Sequence, residues 1–138
     1  IQDDAIENTK TLLEQNNIKN YTLFKNSHDK MIDLLPNLKN KVSAVVFNLG
    51  YLPGGNKSIT TNYKTTIKAI EGALSLLNPK GICLIVVYPG HEEGKKEDTQ
   101  IKEYLRNIEG KYQIDYFRNT NKETAPYLIS IFASYNGR

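Results

Sequence analysis

Val42-Ser43-Ala44-Val45-Val46-Phe47-Asn48-Leu49-Gly50-Tyr51-Leu52-Pro53-Gly54-Gly55 is the stretch that decides the fold. Its opening residues form an apolar run that reads as a buried parallel strand. Asn48 puts a polar side chain where that strand should end, and a turn rich in Gly and Pro follows. In open α/β sheets, ligands bind in the crevice beyond the carboxyl ends of the strands. Asn48 and its turn are therefore the first candidate site.

Downstream, Ser58 to Thr61 offer hydroxyl caps for a long helix with the stripe Tyr63, Ile67, Ile70, Ala73, Leu74 and Leu77. Asn78-Pro79-Lys80-Gly81 reads as a turn. Ile82 to Tyr88 is almost wholly apolar, as expected of a central parallel strand covered on both faces. Pro89-Gly90-His91 interrupts it, and a helix from about Lys96 to Asn107 turns Ile101, Tyr104, Leu105 and Ile108 inward. Tyr112 to Phe117 alternates like a strand, and Tyr127 to Ser134 reads as the last one. The short connection between them has no room for a crossover helix, so this pair should be antiparallel.

Upstream, Ala5, Ile6, Thr9, Leu12 and Leu13 share one face of a first helix, with Asp3 and Asp4 favourable at its start and Asn16-Asn17 at its end. Tyr21-Thr22-Leu23-Phe24 is a short strand candidate closing at Asn26-Ser27-His28-Asp29. Met31, Ile32, Leu34 and Leu35 suggest a short helix stopped by Pro36. The order implies one doubly wound α/β domain over residues 1–138. Because the chain opens on Ile1 and enters a helix without a strand before it, we expect an N-terminally incomplete domain.

Composition narrows the class. At 138 residues, with 39% hydrophobic and 24% charged residues, the chain suits one soluble domain. No apolar run approaches the ~20 residues that cross a bilayer, and no signal-peptide pattern opens the chain. The single Cys83 excludes an intramolecular disulfide or thiolate cluster and reads as a buried small hydrophobe in a reducing, cytoplasmic compartment. A net charge of +3 is compatible with nucleic acid without demonstrating it.

Three strand ends carry polar residues: Asn26-Ser27-His28-Asp29, Asn48-Leu49-Gly50-Tyr51 and Tyr88-Pro89-Gly90-His91. Parallel topology would gather all three at one edge. His28 is open to ligand, base or helix-cap roles, and His91 to substrate contact or plain loop. Two histidines without metal-ligand spacing make a metal site unexpected. Glu92, Glu93, Glu97 and Asp98 read as a solvated helix start. There is no Gly-x-Ser-x-Gly elbow, and Gly54-Gly55-Asn56-Lys57-Ser58 lacks the upstream Gly of a phosphate-binding loop.

Ile1-Gln2 with Ala5-Ile6 and Thr9, Ser27-His28, Phe47 to Gly55, Thr65 with Ala69, Tyr88-Pro89-Gly90-His91 with Glu97, and Pro126-Tyr127-Leu128 together resemble one family. It is the YtqB-like group of class I S-adenosylmethionine-dependent methyltransferases, long labelled rRNA methylases. The resemblance implies a Rossmann-like methyltransferase sheet with a terminal antiparallel strand. It implies S-adenosylmethionine as cofactor and RNA, most of all tRNA, as partner. Its reaction would be N-methylation of the 5-aminomethyl group of a wobble (2-thio)uridine. The family's first strand and Gly-rich cofactor loop precede Ile1-Gln2 and are missing from this sequence.

On that resemblance Gln2, Ser27, His28, Asn48, Leu49 and Gly50 would hold the cofactor. Asn48, Tyr51 and His91 would act on the acceptor amine, His91 as proton relay. Tyr51, Pro53, Gly54, Gly55 and Tyr88 would shape the substrate side, and Lys57, Lys95 and Lys96 could touch phosphates. Other readings stay open: an rRNA methyltransferase, a non-catalytic RNA-binding module keeping the fold, or a nucleotide-dependent oxidoreductase. No membrane role is expected, and exposed sheet or helix surface could support a homodimer.

Overall fold

The protein is represented by a computed structural model that describes residues 3–49 and 63–133. Among the described residues, four helices and four strands follow in chain order: α1 (Asp3–Gln15), α2 (Met31–Leu34), β1 (Val42–Asn48), α3 (Tyr63–Leu76), β2 (Leu77–Val87), α4 (Glu92–Ile108), β3 (Tyr112–Phe117) and β4 (Tyr127–Ala133). Short 3-10 turns, His28–Lys30 and Pro36–Leu38, flank α2.

The sheet order is β1-β2-β4-β3. β1 and β2 are parallel, with Ala44 opposite Ile82 and Asn48 opposite Val86. β4 runs antiparallel to both β2 and β3, as the short β3–β4 connection required. The expected turn at residues 78–81 is present as an irregularity inside β2. There the register jumps from the Val42–Leu77 pair to the Ala44–Ile82 pair. Asn78 Oδ1 accepts the Lys80 N–H at 2.9 Å, the local side-chain bond that favours turns at such residues.

One face of the sheet carries the core. Phe47, Cys83, Ile85, Val87, Tyr127, Ile129 and Ile131 alternate on it, packed by Ala69, Ile70, Ala73 and Leu74 of α3 and by Ile101 and Leu105 of α4. Leu49, just past β1, is also buried. The α3 stripe matches the sequence expectation at Ile67, Ile70, Ala73 and Leu74. Leu77, by contrast, is buried as the first residue of β2, paired with Val42, and is not in the helix. The Tyr63 side chain and the Ser58–Thr61 caps lie outside the described residues. The helix after Pro89-Gly90 begins earlier than its apolar pattern suggested, at Glu92, because His91 caps it.

Two expectations are corrected. Ile82, Leu84 and Val86 are only half-buried, so β2 is not fully covered on both faces. Val46 on the same face is 65% exposed, and α1 buries none of its residues, Leu12 being 60% exposed. Tyr21 to Phe24 is not a strand. A strand exists only through pairing, and no described strand lies alongside it to supply the hydrogen bonds.

Candidate functional site

The β1–β2 register builds the site from the backbone upward. Parallel pairing ends with Asn48 opposite Val86, and the Leu49 N–H donates to the Val86 carbonyl at 3.0 Å. β2 ends one residue later, so Tyr88-Pro89-Gly90-His91 leaves the sheet beside Asn48 and Leu49. Alternation sets their fates. Phe47 faces the core and is buried, whereas the Asn48 side chain is exposed at the strand end.

Ser27 and His28 reach this edge without a strand. Ser27 is extended, its carbonyl accepts from the Lys30 N–H at 3.0 Å, and a 3-10 turn follows. Its hydroxyl makes no cap bond to that turn. The His28 ring meets Phe47 edge to face, with centroids 5.8 Å apart and planes at 73°. Partial burial lowers the His28 pKa below its ordinary value, against the raising effect of Asp29. Its ring is thus neutral near pH 7. Ser27 bonding lowers the Asp29 carboxyl, helped by Lys30 and Lys68.

His91 is the N-cap of α4, its Nδ1 accepting the Gly94 N–H at 3.0 Å, while Nε2 is buried. These are the contacts of a helix cap, whereas the sequence expectation assigned His91 a proton relay. Tyr88 is half-buried on the same turn. Gly94 is required beneath it, since a Cβ there would lie 2.0 Å from the Tyr88 carbonyl oxygen.

Of the expected site residues, the structure thus brings Ser27, His28, Asn48, Leu49, Tyr88 and His91 to one edge. Gln2, Gly50, Tyr51, Pro53, Gly54 and Gly55, and with them Lys57, lie outside the described residues. No metal-ligating cluster and no helix long and apolar enough to cross a membrane occurs among the described residues.

Sequence reasoning misread one residue near this edge. Glu97 is not solvated but 3% exposed, accepting the Thr66 hydroxyl at 2.7 Å, with Thr66 buried too. The signal was available: Glu97 lies four residues before Ile101 and eight before Leu105, on the buried stripe of α4. The pair ties the first turn of α3 to the second turn of α4.

Parallel strands whose carboxyl ends present an exposed Asn48 beside the Tyr88-to-His91 turn, with the neutral His28 packed at the same edge, have the layout of a cofactor-binding α/β enzyme. A family model described as "Putative rRNA methylase" matches residues 1–133, and the chain belongs to that family. It is 38% identical over 141 residues to the Arabidopsis thaliana chloroplastic tRNA (mnm(5)s(2)U34)-methyltransferase. That alignment takes in 99% of this chain and 51% of the relative, so the chain spans about half the length of that curated protein.

Among solved structures, a Clostridium thermocellum protein titled a "putative rRNA-methylase" superposes with a TM-score of 0.89 and 36% identity, covering 97% of this chain and 72% of its own. A Streptococcus mutans "putative methyltransferase" in complex with SAH gives a TM-score of 0.83 and 29% identity, covering 97% and 73%. The Rossmann-like methyltransferase fold expected from the sequence is therefore the fold of this chain.

Proposed function

We propose that this chain is part of an S-adenosylmethionine-dependent RNA methyltransferase that N-methylates the 5-aminomethyl group of a tRNA wobble (2-thio)uridine. The observation that carries the reading is the exposed Asn48 side chain at the end of β1, beside the Tyr88-to-His91 turn of parallel β2. The Arabidopsis relative's activity and the SAH held by the Streptococcus neighbour support the same chemistry.

The described residues suit the cofactor. A neutral, half-buried His28 backed by Phe47 suits an uncharged adenine ring. Amide and carbonyl oxygens at Asn48 and Leu49 suit a sulfonium, to which they are acceptors without a proton to lose. When bound, S-adenosylmethionine supplies an electrophilic methyl group. Ser27, His28, Asn48 and Leu49 are the described residues that would hold it.

Methyl transfer is an in-line displacement, so positioning the nucleophile supplies much of the acceleration. An alkyl amine titrates near ~10 in water and is mostly protonated at neutral pH. The site must desolvate it or accept its proton. We assign the Asn48 side-chain oxygen to accept a hydrogen bond from the neutral amine, which fixes its lone pair toward the methyl carbon. To Tyr51, Pro53, Gly54 and Gly55, which lie outside the described residues, we assign the substrate side of the site on the family resemblance alone. His91 holds the neighbouring wall through its cap on α4.

Asn48→Ala in the intact protein should lower methylation on the order of a hundredfold, the lower end for removing one transition-state contact of this kind. Its melting temperature should stay within about 2 °C of the parent, since the side chain is exposed. Near-normal turnover by the variant would sink the assignment. Nucleoside mass spectrometry of tRNA and rRNA from cells lacking the protein decides the substrate. The expected result is loss of the methylated wobble uridine with build-up of the free amine. Loss of an rRNA methyl group instead would favour the rRNA reading.

A further inference from the structure

The antiparallel hairpin places a second polar surface along the same edge of the sheet. Tyr127 pairs with Val87 at the end of β2, and Phe117 pairs with Leu128. The loop joining β3 to β4, residues 118–126, therefore emerges beside the Tyr88-to-His91 turn. It also packs on that turn, since a Cβ on Gly90 would lie 3.0 Å from the Thr124 carbonyl oxygen.

The loop is held in shape by its own bonds. The Lys122 N–H donates to Thr120 Oγ1 at 3.1 Å, and the Ala125 N–H to the Lys122 carbonyl at 3.2 Å. The Arg118 guanidinium lies 4.0 Å from the centre of the Tyr127 ring. The Tyr127 hydroxyl bonds to Asp98, whose other oxygen is 3.2 Å from Lys102 Nζ. Asp98 is thereby matched by Lys102, and Arg118 makes no ion pair among the described residues. At the end of β3, Phe117 is 54% exposed on the opposite face.

We propose that Phe117 and the loop 118–126 form a docking arm for single-stranded RNA beside the methyl-acceptor nucleotide, Phe117 stacking on a base and Arg118 holding a phosphate. Single-stranded RNA is recognised by base stacking on aromatic rings and by a positive track for its backbone. Both parts are present here, with a second cation at Lys122 and one carboxylate, Glu123, in the loop. β3 lies three strand spacings from β1, about 14 Å at ~4.8 Å each. That separates the arm from Asn48 by a few nucleotides, so it grips flanking residues rather than the target itself. The inference rests on the methyltransferase reading for the identity of the target nucleotide.

The test is fluorescence anisotropy of the intact protein with a labelled anticodon stem-loop RNA at several salt concentrations. Phe117→Ala should weaken binding on the order of tenfold. Arg118→Ala should reduce the slope of log affinity against log salt by about one, whereas Arg118→Lys keeps the slope. Thermal midpoints of the variants close to the parent's establish that the fold is intact. Parent affinity and parent slope in both alanine variants would overturn the arm, as would failure of the parent to bind RNA. Calorimetry with S-adenosylmethionine on the same samples reads the enzyme assignment separately. Absent heat there removes the methyltransferase reading and leaves the arm to the RNA data.

Discussion

His28 shows how much a single contact decides. Its ring leans on Phe47, is partly desolvated, and has a pKa below the ordinary ~6.5. An unfolded chain takes up that proton near ~6.5, whereas the folded one resists until the pH is lower. Between those values the unfolded state binds more protons, so stability falls as pH is lowered through that window and levels off beneath it. Urea midpoints measured from pH 8 to pH 5 should show this decline, and His28→Phe should flatten it while keeping a ring against Phe47. An equally steep decline in the variant would place the pH dependence elsewhere. The sequence put His28 at the sheet edge and leaned toward a cap, with ligand and base still open. Only the packing against Phe47 favours a neutral wall.

The helices and strands were legible where their pattern was carried by core contacts, and illegible where pairing or capping decided. The α3 stripe and the antiparallel β3–β4 hairpin are plain from spacing and loop length. Tyr21 to Phe24 has strand-forming side chains but no described neighbour to pair with, and propensity alone does not make a strand. Glu97 sits in register with Ile101 and Leu105, but its charge argued for the surface, and a partner such as Thr66 is what offsets its burial. Gly94 gives the sharpest prediction among the elements. Alanine there would gain about 1 kcal/mol of helix propensity. Against this stands a Cβ placed 2.0 Å from the backbone oxygen of Tyr88, a contact no rotamer can relieve. Overpacking wins, and Gly94→Ala should destabilise the protein by about 1–3 kcal/mol, read as a lower urea midpoint. An unchanged or higher midpoint would mean that α4 shifts freely.

For the molecule as a whole, Cys83 reports on cooperativity. It is fully buried at the centre of the core face, and burial pushes its thiol pKa up to about 12. Almost no thiolate exists at neutral pH, and no reagent reaches it without large opening. Labelling with a chromogenic disulfide reagent at pH 8 should be negligible in buffer and rapid in strong denaturant. Prompt labelling of the native protein would show that the sheet opens locally at β2.

The close approach of Gly94 to Tyr88, with Thr124 against Gly90 on the other side, makes that turn a fixed anvil rather than a hinge. Lids that admit substrate and let product go must travel, and a segment clamped from two directions is unsuited to that work. Under the proposed methyltransferase reading, the tempo of turnover would belong to other parts of the protein, while this turn keeps its aim.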